Sequence, residues 1–85
     1  MTRDALRREV LGALAEIAPE ADPASLRGGV PLRDQLDLDS MDFLNLLIAV
    51  HQRTEVEIPE ADYGKLASLD QIVAYLEARQ PGGRD

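Results

Sequence analysis

The chain has 85 residues, a net charge of −7 and 45% hydrophobic residues, which suits one small domain with a modest core. It contains no cysteine and a single histidine, His51, which excludes disulfides, a cysteine nucleophile and metal sites built on thiolates or several histidines. The negative charge and the small number of aromatic residues argue against nucleic acid and anionic membranes as partners. Neither a membrane span nor a signal-peptide pattern is evident, so we expect a cytoplasmic protein, which we take to be a monomer.

The first predicted element is an amphipathic helix over residues 2–18. Its apolar side chains recur at helical spacing: Leu6, Val10, Leu14 and Ile17. Thr2 is the expected N-cap, and Pro19 ends the helix. Gly12 lies inside the helix and weakens it by up to ~1 kcal/mol, for which the sequence offers no explanation.

Residues 19–38 form a long first loop that is punctuated by proline and glycine. A structureless connection of this length is unusual in a compact domain unless its apolar side chains reach the core. Five such side chains are available: Leu26, Val30, Leu32, Leu36 and Leu38. We therefore predict that the loop is pinned across the core.

The second long helix is predicted over residues 39–53, with Asp39 or Ser40 as its N-cap. Its apolar side chains form two stripes: Met41, Leu44, Leu47 and Ile48 in the first, and Phe43, Leu46 and Val50 in the second. A helix that is apolar over most of its surface belongs at the centre of its domain.

Two further helices complete the predicted fold. Pro59 suits the start of a short helix over residues 59–66. Ser68 and Gln71 form a capping box that opens the last helix, which ends near Arg79. The sequence thus predicts an all-α bundle of three main helices plus one short helix, with a long first loop.

The same pattern predicts a single domain over residues 1–85. Residues 3–79 are expected to be ordered, and residues 80–85 to form a frayed tail, because proline and glycine follow the last helix.

The negative charge is concentrated in the middle of the chain. Residues 34–62 contain eight acidic residues and one basic residue, Arg53, whereas acids and bases balance in the remainder. A single exposed acid is ordinarily just solvated, but a segment of one sign favours docking of a basic surface. We predict such a role for this segment, with Asp42, Glu60 and Asp62 as the partner-binding residues.

Residues 37–42 lead directly into the central helix and admit several interpretations. The simplest is an ordinary N-cap. A calcium loop is excluded, because Asp42 and Ile48 stand where that loop needs glycine and glutamate. A catalytic role for Ser40 fails as well, because His51 lies eleven residues along the same helix, ~16 Å away by axial rise.

The residues around Ser40 resemble those of acyl carrier proteins of the phosphopantetheine-attachment type. Asp39-Ser40-Met41 matches the family's D-S-L core, with Met41 in the leucine place. Glu57-Ile58-Pro59-Glu60 falls at the family's E-I-P-[DE] position. The order of the helices fits too, and the resemblance extends over residues 3–79.

This resemblance implies a carrier that is a substrate of other enzymes and not itself an enzyme. A phosphopantetheinyl transferase would move 4′-phosphopantetheine from coenzyme A to the Ser40 hydroxyl, which makes the chain a phosphoprotein. Asp39 and Met41 would contribute to recognition by the transferase. The thiol of the arm would then hold acyl or aminoacyl groups as thioesters and present them to partner enzymes.

The partners implied are an acyl- or aminoacyl-loading ligase and downstream acyl-processing enzymes, as in fatty-acid or polyketide biosynthesis. The resemblance also implies a pocket for the acyl chain, and the candidates are Leu44, Leu47, Ile48, Tyr63 and Leu66. No metal-binding residue is predicted in this chain.

The sequence departs from the family pattern in three places, and the last two of these indicate a specialised pathway with a small or polar cargo. Asp37 stands where many members have glycine. The exposed side of the central helix is neutral to basic from Asn45 to Arg53, where fatty-acid carriers are usually acidic. Tyr63 places a bulky ring in the short helix that lines the family's acyl pocket.

Two other functions remain open from the sequence. Peptidyl carriers use the same serine, but their usual G-G-x-S pattern is absent. The alternative of a different class is an unmodified helical protein-interaction module whose acidic face docks a basic partner. A phosphopantetheine adduct on Ser40 distinguishes a carrier from such a module.

Overall fold

A computed structural model describes residues 1–80. Its elements are the helices α1 (Arg3–Ile17), α2 (Leu32–Gln35), α3 (Ser40–Thr54) and α4 (Leu69–Arg79), with 3-10 segments at Pro23–Ser25 and Glu60–Lys65. No strand occurs between residues 1 and 80, so the predicted all-α fold with three long helices is confirmed. Most of the expected tail, residues 81–85, lies outside the described residues.

The core is formed where α1 packs against α3 and α4. The apolar face predicted for α1 is buried, as are the inward faces of the other two long helices: Leu6, Val10 and Leu14 from α1, Leu46, Leu47 and Val50 from α3, and Leu69, Ile72, Val73 and Leu76 from α4. Each such side chain stabilises the fold by roughly 1.5–3 kcal/mol relative to an exposed one.

The caps are largely those predicted. The Thr2 hydroxyl accepts a hydrogen bond from the Ala5 N–H. Ser68 and Gln71 form the reciprocal capping box at the start of α4, in which the Ser68 hydroxyl accepts from the Gln71 N–H at 3.2 Å. Each cap satisfies a helix N–H that has no partner within its own helix.

Arg53 explains the glycine inside α1. Its guanidinium lies across α1 and bonds to two carboxylates on the same face of this helix, Glu9 at 3.1 Å and Glu16 at 2.8 Å. A Cβ atom added at Gly12 would approach this guanidinium to 2.7 Å. Because Gly12 has no side chain, it leaves room for the Arg53 guanidinium, whose ion pairs join α3 to α1.

The long loop is attached to the core as predicted. Leu32 and Leu38 are buried, Leu26 and Leu36 pack against the core from partly exposed positions, and Val30 is half-buried. The short helix α2 was not predicted, because four residues contain too little of the apolar period to be recognised as a helix.

Hydrogen bonds join this loop to the start of α4. The Leu32 N–H donates to the Ala67 carbonyl at 2.8 Å, and the Asp70 N–H donates to the Gly28 carbonyl at 3.0 Å. The Asp70 carboxylate lies so close to Gly28 that a Cβ atom there would overlap it. These contacts hold the loop and the first residue of α2 against the start of α4.

Two details of α3 and of the short helix were not predicted. α3 packs in the core but is not enclosed on all sides, because Met41 and Ile48 are 62% and 42% exposed. The short helix predicted over residues 59–66 is present but is a 3-10 helix, Glu60–Lys65. Its short length and Gly64 agree with the distortion that a glycine permits.

Candidate functional site

The start of α3 is fixed by Asp39 and not by Ser40. The Asp39 carboxylate accepts from the Asp42 N–H at 2.8 Å, and the Asp39 N–H donates to the Asp42 carboxylate at 3.3 Å. This reciprocal pair is a capping box. Ser40 is consequently the first residue of the helix, and capping makes no use of its hydroxyl.

The three serines of the chain differ in what their hydroxyls do. The Ser68 hydroxyl caps α4, and Ser68 is only 3% exposed. The Ser25 hydroxyl donates to Asp22 at 3.1 Å. Ser40 is exposed, and we find no hydrogen bond of its side chain to any group in residues 1–80. Ser40 is therefore the serine most available to a reagent in solution.

The segment just before Ser40 is held in place by two side chains. Leu38 is 7% exposed and anchors the segment in the core. The Arg33 Nε–H, from α2, donates to the Leu38 carbonyl at 3.2 Å. Met41 follows Ser40 and presents an apolar side chain to solvent. The serine thus stands on a fixed backbone with an exposed apolar neighbour.

Two surface pockets flank the Tyr63 ring. The first, which we call the His51 pocket, has a volume of about 270 Å³ and is lined by Leu47, Ile48, His51, Glu57, Ile58, Pro59 and Tyr63. The second, the Arg33 pocket, has a volume of about 220 Å³ and is lined by Pro31, Arg33, Phe43, Tyr63, Gly64 and Ala67. Tyr63 belongs to both pockets and separates them.

The candidate acyl-pocket residues are only partly brought together. Leu47, Ile48 and Tyr63 line the His51 pocket. Leu44 is half-buried, and neither pocket includes it. Leu66 is 1% exposed and packs in the core.

His51 stabilises the turn that follows α3. Its Nδ1 lies 2.8 Å from the Val56 carbonyl oxygen. Because a carbonyl only accepts, Nδ1–H is the donor in this contact. Glu55 lies between the two residues with φ of 60°, the left-handed conformation that ends the helix.

The predicted partner-binding acids differ in how free their carboxylates are. Glu60 is exposed, and Asp42 is half-buried with one carboxylate oxygen in the capping box. The side chain of Asp62 is 17% exposed; it accepts from the Tyr75 hydroxyl at 2.6 Å and lies 3.4 Å from the Lys65 ammonium. Asp62 is thus engaged within the chain.

The contacts among Asp62, Tyr75 and Lys65 shift the pKa values of Asp62 and Tyr75. The hydrogen bond from Tyr75 lowers the pKa of Asp62, with a smaller contribution from Lys65. Burial, and then the bond to Asp62, raises the pKa of Tyr75. The Arg79 guanidinium carbon lies 4.5 Å from the centre of the Tyr75 ring. The cluster joins the 3-10 helix to α4.

Sequence reasoning missed Arg33 and did not combine Phe43 with Tyr63. Arg33 is separated from Ser40 by a loop, and only its bond to the Leu38 carbonyl brings it to the site. Phe43 follows Ser40 by three residues, and this spacing places the two on the same side of a helix. The spacing was the one sequence signal that could have assigned Phe43 to the site.

Comparison with known proteins gives a consistent result. A family model for the phosphopantetheine attachment site matches residues 8–76. The acyl carrier protein of Campylobacter concisus (strain 13826) is 34% identical over 56 residues, 66% of this chain and 73% of the relative. The meromycolate extension acyl carrier protein of Mycolicibacterium smegmatis (strain ATCC 700084 / mc(2)155) is 28% identical over 76 residues, 86% of this chain and 77% of the relative.

A helical bundle with an exposed serine at the start of its central helix agrees with a carrier domain of the matched family. With these matches, the chain belongs to the acyl carrier protein family. The expected non-enzymatic carrier role and the covalently attached 4′-phosphopantetheine are thereby confirmed. Proteins of this family interact with phosphopantetheinyl transferases and acyl-processing enzymes.

The described residues add two observations on membranes and metals. Between residues 1 and 80, every helix is too short or too polar to cross a membrane. The same residues contain no group of three or more potential metal ligands.

Proposed function

We propose that Ser40 is the phosphopantetheine attachment residue and that this chain carries acyl or aminoacyl groups as thioesters for a specialised biosynthetic pathway. The observation that carries the proposal is the capping box at the start of α3. Because Asp39 caps the helix by accepting from the Asp42 N–H, Ser40 is not needed as the cap and keeps an exposed hydroxyl. Family membership favours this function over an unmodified interaction module.

The chain contributes the nucleophile, and the transferase contributes the rest. The Ser40 oxygen forms a bond to the phosphorus of coenzyme A that carries the pantetheine, a base of the transferase takes the hydroxyl proton, and the bond to the adenosine-containing phosphate breaks, so that this phosphate departs as the leaving group. Once attached, the arm supplies the terminal thiol on which an acyl group is held. Asp39 keeps the helix start in place, and Met41 offers the transferase an exposed apolar contact.

Incubation with coenzyme A and a phosphopantetheinyl transferase, followed by intact mass, tests this proposal. The unaltered chain and Ser25→Ala should gain the mass of one arm, whereas Ser40→Ala should gain none. Because Asp39 provides the cap, Ser40→Ala should change the free energy of unfolding by no more than about 0.5 kcal/mol. Uptake of the arm by a folded Ser40→Ala protein would overturn the assignment.

A small or polar cargo is part of the same proposal. Tyr63 stands between the two pockets, so a long chain passing from one to the other would have to displace its ring. Overfilling a packed region costs about 1–3 kcal/mol, which opposes the gain of ~0.8 kcal/mol for each buried CH₂. Short or aminoacyl groups would avoid that cost by remaining on the arm in solvent.

Thermal unfolding of carriers loaded with short and long acyl chains tests the cargo. A long chain should raise the melting temperature little in the unaltered protein and more in Tyr63→Ala, where space is opened. Strong stabilisation by a long chain with Tyr63 present, unchanged in Tyr63→Ala, would contradict this expectation.

The proposal includes docking of partner enzymes on the acidic segment. Glu60 offers an exposed carboxylate, and Met41 and Ile48 add exposed apolar surface along α3. A partner with basic residues around an apolar centre would fit this combination. Asp42 can contribute with the carboxylate oxygen that the capping box leaves free. A cytoplasmic location and a single domain over residues 1–85 are likewise parts of the proposal.

A further inference from the structure

The Arg33 pocket combines one cationic side chain with two aromatic rings, and within residues 1–80 no acidic side chain nearby neutralises the cation. Arg33 is the one ionised residue in its lining, beside the Phe43 and Tyr63 rings. The chain carries a net charge of −7, yet within the part that the structure describes no carboxylate lies within 4.0 Å of this guanidinium. An exposed arginine without an anionic partner, at the edge of an aromatic pocket, fits an anionic ligand with an uncharged extension.

Two residues of the Arg33 pocket, Arg33 and Phe43, are linked to the segment that contains Ser40. The Arg33 Nε–H is bonded to the Leu38 carbonyl, two residues before Ser40. Phe43 lies three residues after Ser40, and side chains at this spacing are neighbours on a helix surface. An anion attached to Ser40 is therefore held in the vicinity of the guanidinium.

We propose that the Arg33 guanidinium binds the phosphodiester attached to Ser40, and that the pantetheine chain lies across the pocket formed by Phe43 and Tyr63. This inference rests on the proposed attachment at Ser40. The bond from Nε to the Leu38 carbonyl fixes the plane of the guanidinium and leaves its terminal N–H groups for phosphate oxygens. The apolar methyl groups and uncharged amides of pantetheine suit the aromatic walls.

The His51 pocket is a poorer site for the same group. Its α3 residues, Leu47, Ile48 and His51, lie seven to eleven residues beyond Ser40, roughly 10–16 Å along the helix axis. Its lining contains the carboxylate of Glu57, which repels a phosphodiester. The two pockets on either side of Tyr63 therefore differ in charge, and the cationic one is nearer to Ser40.

The test uses carrier that bears the arm with a free thiol, verified by intact mass, and compares its NMR spectrum with that of the unmodified protein. We expect attachment to shift the Arg33 Nε–H and the Phe43 and Tyr63 ring signals, with nuclear Overhauser contacts from the rings to the methyl groups of the arm. In Arg33→Ala these contacts should weaken several-fold, and in Arg33→Lys they should weaken less.

Arg27→Ala is the matched control. Arg27 is exposed in the same loop, and its backbone, not its side chain, is bonded to Gln35. Because its side chain is not part of the Arg33 pocket, the contacts should persist in this variant.

Three results would count against the proposals, each in a different way. Failure of the unmodified protein to gain the arm would contradict the proposed function itself. Loaded protein without ring contacts, or with contacts that Arg33→Ala leaves unchanged, would overturn only this inference. Contacts that appear solely when the thiol carries a carboxylate-bearing acyl group would assign Arg33 to the cargo and contradict its binding to the phosphodiester.

Discussion

In its first turn, α3 exposes Ser40 and Met41, whereas Leu46 and Val50 further along the same helix are fully buried. The first turn is fixed by a local capping box between Asp39 and Asp42. The remainder is fixed by packing and, at its end, by the ion pairs of Arg53 with α1. A local cap holds the proposed attachment residue rigid without burying it, so accessibility and stability come from different parts of one helix.

The largest expected effect is a difference in the free energy of unfolding between substitutions in the buried part of α3 and in its first turn. Leu46→Ala removes a fully buried side chain and should reduce the free energy of unfolding by about 2–5 kcal/mol. Met41→Ala changes a side chain that is 62% exposed and should alter it by no more than about 0.5 kcal/mol.

Denaturant unfolding of both variants, with transferase kinetics alongside, measures the contrast. We expect Met41→Ala to be as stable as the unaltered chain but to be loaded more slowly. Equal destabilisation by the two substitutions would show that the first turn is part of the core after all.

The next largest effect is expected on the rate of partner association, and it compares an exposed carboxylate of the acidic segment with an engaged one. Glu60 is exposed, whereas Asp62 in the same 3-10 helix is engaged by Tyr75 and Lys65. Glu60→Lys should therefore slow association with a basic partner several-fold, without loss of stability, and the difference should diminish as salt screens the charges.

Loading rates at low and high salt provide the measurement for Glu60. Glu20→Lys is a suitable control, because Glu20 is exposed and lies outside the acidic segment. If the two reversals slow loading equally, or if salt has no influence, the acidic segment is not a localised docking surface.

A smaller effect, on the pH dependence of stability, is expected at the Asp62–Tyr75 pair. The pKa of Asp62 is lowered from its ordinary value of 3.8, chiefly by the Tyr75 hydrogen bond. A carboxyl group with a lowered pKa stabilises the fold above its ordinary pKa, and this contribution is lost as the pH falls through the lowered value. Tyr75→Phe removes the hydrogen bond and should lose most of that contribution.

Unfolding at neutral pH and at several values below 4 measures this prediction. Tyr75→Phe should be slightly less stable than the unaltered chain at neutral pH, and the gap should narrow as the solution becomes more acidic. A gap that is independent of pH would assign the loss to packing of the tyrosine ring and not to Asp62.

Local signals allowed much of the fold to be predicted. The caps at Thr2 and Ser68 and the ends set by proline depend on neighbouring residues, which the sequence displays directly. The choice between Asp39 and Ser40 as N-cap could not be made, because both side chains are suitable and only the geometry of the turn selects one. That choice decides whether Ser40 has a free hydroxyl.

Features that depend on distant contacts were not predictable. Gly12 is explained by Arg53, which is remote in sequence and reaches it only after α1 and α3 have packed. The exposure of Met41 and Ile48 depends on which side of α3 faces the other helices, and periodicity alone does not determine this for a helix with two apolar stripes. Arg33 joins the site through one tertiary hydrogen bond.

The central claim is that Ser40 carries the arm. The most direct test is fragmentation mass spectrometry of the protein purified from its native host, which locates any adduct on a peptide and identifies its cargo. We predict a phosphopantetheine adduct on the peptide that contains Ser40, with none on the peptides that contain Ser25 or Ser68. An adduct on another residue, or a chain that stays unmodified even after treatment with a transferase and coenzyme A, would contradict the claim.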